Sequence, residues 1–271
     1  MNWLRTSDWV GAPPEALITT AAERRRVCLE VGIVLLLGLG QSAVYSLLSL
    51  TARLTSGTPL AQQSAAINPS RSDREWLDFS YQFLNALFPL VLVALALYLL
   101  WRDGSNPFRR IGLNLRSPGR DLARGIGLVA IIGIPGIGLY LAGRALGLTV
   151  AIEAGPSAWL WWSVPVLLLV ALRAATTEEI VGVGYLFTRL RQLGWSPLGI
   201  IVAAALFRGS YHAYQGVGPL LGNVLMGLVF GVAYLKWGRV MPLVVAHFMI
   251  DAVAFVGYPL ALALWPALFG A

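Results

Sequence analysis

The groups best able to do chemistry in this chain are few, and they stand in its most apolar surroundings. Glu178 and Glu179 are adjacent within Thr176-Thr177-Glu178-Glu179-Ile180-Val181-Gly182-Val183-Gly184-Tyr185. The two histidines, His212 and His247, lie in apolar segments further on. Asp251 follows His247 at i+4, which presents both side chains from one helix face, and Arg208 precedes His212 by the same interval. Each charge at bilayer depth costs several kcal/mol, with values running from about 2.5 to above 10, so these groups need one another. A buried carboxylate beside an imidazole is the equipment of general base catalysis. One glutamate, two histidines and an aspartate could equally hold zinc. No cofactor is assigned and a divalent metal stays open, although the zinc-protease pattern His-Glu-x-x-His is absent.

Composition sets the solvent. The chain has 271 residues, 57% hydrophobic and 12% charged, against a soluble average of about 25% charged. Its mean hydropathy is +0.70. A multi-pass integral protein of the cell membrane, in contact with the lipid bilayer, is the expectation. The net charge of +7 does not imply a nucleic-acid partner. The cations are nearly all arginines at the ends of apolar runs, which is how topology is encoded, with anionic headgroups as counter-charge. The single Cys28 excludes an intramolecular disulfide and a cysteine metal cluster. Residues 1–30 do not resemble a cleavable signal peptide, because the apolar run begins only after Arg24-Arg25-Arg26 and is too long.

These constraints predict an all-α fold, a polytopic transmembrane helix bundle of seven or eight spans. After a cytoplasmic tail, 1–30, three spans fill 31–153: 31–52, 79–101 and 125–143, the last with Pro135 as an expected kink point. An external polar loop, 53–78, follows the first. A basic loop, 102–124, holds Arg102, Arg109, Arg110, Arg116, Arg120 and Arg124 against Asp103 and Asp121, and the positive-inside rule makes it cytoplasmic. A fourth run, 154–172, opens with Trp159, Trp161 and Trp162, which fit an interfacial anchor. Residues 154–258 form a catalytic bundle with a four-helix core in the C-terminal half, and 259–271 an apolar tail. If 154–190 is one helix the count is seven. If 173–177 breaks it, the count is eight.

Thr176 and Glu179 have capping-box spacing, so a helix or fresh turn is expected there. Leu193-Gly194-Trp195-Ser196-Pro197 marks a turn with a new helix from Pro197. Glu178 precedes Gly194 by 16 residues (178 to 194), and His212 follows Pro197 by 15 (197 to 212). In a helical hairpin the two then stand level, roughly 23 Å from the turn. By the same count Val183 and Arg208 stand level. Because neighbours on a helix diverge by about 100°, Glu178 is favoured to face His212, with Glu179 as a supporting charge or as the cap partner of Thr176. Gly222, Gly227 and Gly231 mark a closely packed helix after the turn 216–219.

Glu-Glu with a nearby glycine, then a lone His at a helix end, then His-x-x-x-Asp resembles the CPBP family of intramembrane CAAX-protease and bacteriocin-processing (Abi) enzymes over residues 172–258. The resemblance implies a membrane peptidase, a hydrolase cutting a membrane-bound or lipidated peptide. Glu178 and His212 then activate water, while His247 and Asp251 hold the scissile carbonyl as it becomes an oxyanion. Both metallo- and glutamate-type mechanisms are described for such proteins. The family's work on lipidated tails implies a site open to the cytoplasm. This chain departs from the pattern twice: Val183 stands where the family has arginine, and Arg208 where it has phenylalanine. Together these suggest an exchange, with Arg208 supplying from the facing helix the cation missing at Val183. Two other classes remain: a non-catalytic membrane protein with an immunity or scaffold role, and a proton-coupled transporter, although no inverted repeat of broken helices is visible.

Overall fold

The computed structural model describes residues 15–154 and 159–264. The first part of the expected cytoplasmic tail and the end of the apolar tail, 1–14 and 265–271, lie outside the described residues. The chain is nearly all α, 76% helical.

The first apolar run forms a broken helix, α1 (Ala21–Leu36) and α2 (Leu39–Thr55), bent by 58°. Gly38, between them, has backbone angles outside the helical region and lies so close to Leu92 that a Cβ would stand 2.5 Å from Leu92 Cδ2. The bend follows from that approach. The second run is α3 (Glu75–Leu87) and α4 (Leu90–Trp101), which together make one 27-residue path. The basic loop carries the single turn α5 (Pro107–Arg110), capped by Asn106, whose Oδ1 accepts from the Arg109 N–H at 3.1 Å. The third run is α6 (Pro118–Ala145), which continues through Pro135.

The loops that follow α2 and α6 are not wholly irregular. β1 (Ser64–Ile67) pairs in parallel with β2 (Ala151–Ala154), Ser64 opposite Ala151. Arg144 Nη1 fastens them by donating to the carbonyls of Ala61 and Thr149, both at 2.9 Å. This small sheet departs from a purely helical expectation.

The fourth helix also differs in its bounds. α7 (Ser163–Glu179) begins well after 154 and passes without a break into a π-helical segment, Ile180–Tyr185, and then α8 (Leu186–Gln192). Neither the break at 173–177 nor the capping box forms. Thr176 Oγ1 instead donates back to the Leu172 carbonyl at 2.7 Å, because the helix upstream already occupies the backbone that a cap would start. The tryptophans divide: Trp161 is 82% exposed, whereas Trp162 is buried against Phe79.

The expected turns are present. Gly194 has φ +80°, and Ser196 Oγ accepts from the Gly199 N–H at 3.1 Å to start α9 (Pro197–His212). A 3-10 turn and Gly216 (φ +106°) lead into α10 (Val217–Trp237), and Gly238 in the left-handed region ends it. α11 (Met241–Ala252) continues through a second π segment into α12 (Tyr258–Leu264). α9 lies along α10 because Gly227 lets Ala205 approach; a Cβ there would stand 2.7 Å from the Ala205 Cα. α11 packs on α6 and α7, and α2 on α9.

Three arginines expected to face lipid headgroups instead form ion pairs, Arg189 buried and Arg110 and Arg239 half-buried. Arg110 pairs with Glu15 and with Asp103 at 2.8 Å, Arg189 with Glu30 at 2.8 Å and Asp103 at 2.6 Å, and Arg239 with Asp121 at 2.6 Å. Among the described residues, four helical paths are long and apolar enough to cross a membrane: Glu75–Trp101, Pro118–Ala145, Val217–Trp237 and Met241–Ala261. The α1–α2 pair makes five if the bent pair is one span.

Candidate active site

Glu178 and Glu179 close α7 just before the π segment, whose wider turn changes the rotation of α8 relative to α7; such segments recur at functional sites. The two carboxylates diverge and find different partners. Glu178 Oε2 accepts from Tyr211 Oη at 2.9 Å, and stands 3.6 Å from Arg208 Nη1 and 3.7 Å from His212 Nε2. Glu179 Oε1 receives both Arg208 Nη2 and His247 Nδ1, the latter at 2.6 Å. On the other side of that ring, His247 Nε2 lies 3.5 Å from Asp251 Oδ2. Every sequence-predicted site residue thus joins one cluster: Glu178, Glu179, Arg208, His212, His247 and Asp251.

The cluster is layered by exposure. The side chains of Glu179, Arg208 and His247 are at most 5% exposed, whereas those of Glu178, Asp251 and His212 are 12%, 16% and 21% exposed. Buried Val183 and Phe187 lie beside Arg208, and buried Phe230 beside Arg208 and His247. Arg208 also rests over the Phe230 ring, 5.3 Å from its centroid, a cation–π contact that offsets part of its desolvation. His212 Nε2 is buried without a hydrogen-bond partner among the described residues. Its ring is therefore the least committed base in the site.

Tyr211 was not singled out from sequence, although its polar tip beside His212 in an apolar helix was the available signal. Glu179 proves to be the hub joining α9 to α11, a larger role than a cap. Val183 and Arg208 line one crevice, with Gly182, Phe207 and Tyr211. The exposed edge of the cluster adjoins the end of α9, where Gly216 bridges to Thr149 beside the small sheet.

The donor set is poorly arranged for a metal. Among the described residues, no group of three or more His, Cys, Asp and Glu side chains is placed to hold an ion. Arg208 already sets a guanidinium between the two glutamates. The arrangement does not fit a divalent cation.

Several helices long and apolar enough to cross a membrane, enclosing a cluster of buried charged groups, define a class: an integral membrane protein with a polar centre. Residues 160–253 match the family model for type II CAAX prenyl endopeptidase Rce1-like proteins. The match supports a likeness of this segment to the CPBP, or CAAX-protease, family, a family of proteases. Comparison with curated proteins and with solved structures gives no match.

Proposed function

We propose that this protein is an intramembrane endopeptidase that cuts a peptide bond in a membrane-associated or lipidated substrate, using a glutamate-type mechanism. The observation that carries the reading is the 3.7 Å separation of Glu178 Oε2 and His212 Nε2 at the exposed edge of the cluster, backed by a sealed charge scaffold. A water touching both groups gives its proton to Glu178 as its oxygen attacks the substrate carbonyl. His247, oriented through Nδ1 by Glu179 and flanked at Nε2 by Asp251, donates to the resulting oxyanion. As the C–N bond breaks, the proton held by Glu178 passes to the leaving amine, with His212 beside it, so one water and the peptide bond give a carboxyl group and an amine. Tyr211 and Arg208 hold Glu178 in place. No step is routed through a metal, because the residues present do not fit one.

The core carrying this chemistry is α7–α8, α9, α10 and α11. The chain crosses the cell membrane seven times: α1–α2, α3–α4, α6, α7–α8, α9, α10 and α11–α12. The path 163–192 is about 45 Å long at 1.5 Å per residue, enough to cross despite its internal charges. In this arrangement 1–30 is a tail and 154–258 the catalytic unit.

The test is cleavage of a prenylated peptide ending in a CAAX-type tail by purified protein in proteoliposomes. Glu178→Gln and His212→Ala are each expected to lower kcat by about 10²-fold or more, the usual weight of acid–base catalysis. Full activity in both variants rejects the reading.

A further inference from the structure

α9 ends at His212, whose backbone (φ −102°, ψ 0°) passes the chain to the 3-10 turn Ala213–Gln215. His212 Nε2 has no hydrogen-bond partner among the described residues, and the ring lies beside that of Tyr211, with centroids 4.8 Å apart. The distance from Nε2 to Glu178 therefore depends on where the backbone at this helix end is held. It is held from other elements. The Tyr214 N–H, two residues past His212, donates to Ser46 Oγ of α2 at 2.7 Å. Ser46 is 4% exposed and shares the buried face of α2 with Leu39, Gly40 and Ala43, and α2 packs on both α9 and the turn. A second tie comes from the segment at β2: the Val150 N–H donates to the Gln215 carbonyl at 3.3 Å, and the Gly218 N–H to the Leu148 carbonyl at 3.2 Å. A hydroxyl inside a helix commonly bonds the carbonyl one turn back, as Thr51 and Thr55 of the same helix do, to Leu47 and Thr51, both at 2.9 Å. Ser46 Oγ instead accepts from a backbone group 168 residues along the chain. Ser46 and Leu148–Val150 all lie outside residues 160–253.

We propose that Ser46 is a positioning residue: through the Tyr214 N–H, α2 sets the place of His212 relative to Glu178. This rests on the peptidase reading above and deepens it. Without the hydroxyl, the Tyr214 N–H loses its partner in a half-buried turn. The turn then shifts, and His212 moves with it. Two groups that must share one water tolerate little displacement, since a misplacement of about 1 Å can cost about 10²-fold in rate.

The experiment uses the full, untagged chain in detergent micelles with isotope-labelled histidine. The sequence has two histidines, so two sets of imidazole signals arise, and His212→Ala assigns them. In Ser46→Ala the His212 signals are expected to shift while those of His247 stay, because Glu179 holds His247 Nδ1 at 2.6 Å. In cleavage of a lipidated peptide, kcat should fall about tenfold or more with KM little changed. Ser46→Thr, which keeps the hydroxyl, should restore most of the rate. Ser42→Ala, at an exposed position one turn earlier on α2, should leave rate and spectra unchanged. Unmoved His212 signals in Ser46→Ala, or equal movement of both histidines, overturn the proposal. So does an unchanged kcat, or a Ser46→Thr protein as impaired as Ser46→Ala. If the wild type cuts no peptide, the peptidase reading falls, and the spectra alone then decide whether Ser46 places His212.

Discussion

Arg208 donates through Nη2 to Glu179 while its Nη1 stands 3.6 Å from Glu178 Oε2, so one guanidinium from α9 neutralises both carboxylates of α7. Its side chain is 4% exposed. Removing one partner from a buried ion pair leaves an uncompensated charge and costs about 3–5 kcal/mol. Arg208→Phe is therefore expected to lower thermal stability in detergent by that amount and to abolish cleavage. Because Val183 and Arg208 line the same crevice, the double variant Val183→Arg with Arg208→Phe should recover part of the stability lost. A double variant no more stable than Arg208→Phe alone sinks the exchange of positions.

Tyr211 Oη donates to Glu178 Oε2 at 2.9 Å from a buried position. Tyr211→Phe keeps the ring and removes that donor, a hydrogen bond to a charged group worth about 1.5–3 kcal/mol. The expected result is a fall of about tenfold or more in kcat with KM little changed, because the bond positions the base rather than the substrate. Steady-state kinetics decide it; a change confined to KM contradicts the assignment.

The more exposed groups of the cluster adjoin the end of α9, whereas Asp103 of the arginine-rich loop pairs with Arg189 of α8. With Cys28 replaced by serine, a cysteine at Gln215 and one at Arg116 should therefore react with a membrane-impermeant thiol reagent from opposite sides of sealed vesicles. By the positive-inside rule Arg116 lies on the cytoplasmic side. Labelling of both from the same side would show that the site opens beside the basic loop.

The loop residue Asp103 receives Arg110 Nη1 at 2.8 Å and Arg189 Nη1 at 2.6 Å. Burial pushes its carboxyl up, but the hydrogen bond from Arg110, the charge of Arg189 and the hydrogen bonds from Gln192 and Arg189 outweigh this and hold it below the usual carboxylate value. A depressed folded-state pKa stabilises the fold above the unfolded value of about 3.9 and loses that contribution as pH falls through the folded value. Asp103→Asn should thus be less stable than wild type at pH 7, by about 1–2 kcal/mol allowing for partial solvent screening. The difference should close below about pH 4. Thermal unfolding in detergent from pH 7 to 3 measures it, and a difference independent of pH excludes the charge as its source.

Sequence by itself determined the solvent, the helical class and the membership of the charged cluster. Uncharged runs required membrane-length helices, and the cost of intramembrane charge required Glu178, Glu179, Arg208, His212, His247 and Asp251 to find one another. Residue counts from Gly194 and Pro197 brought Glu178 level with His212, because helical rise is nearly constant. Only the tertiary structure decided which groups pair. The π segment after Glu179 and the rotation of α9 against α7 lie beyond residue counting, and they direct Tyr211 to Glu178 and join Arg208 and His247 at Glu179. Thr176, whose spacing signals a cap, lies within a continuous helix, since tertiary packing overrides a local preference worth about 1 kcal/mol. The side on which the cluster is exposed was likewise set by packing.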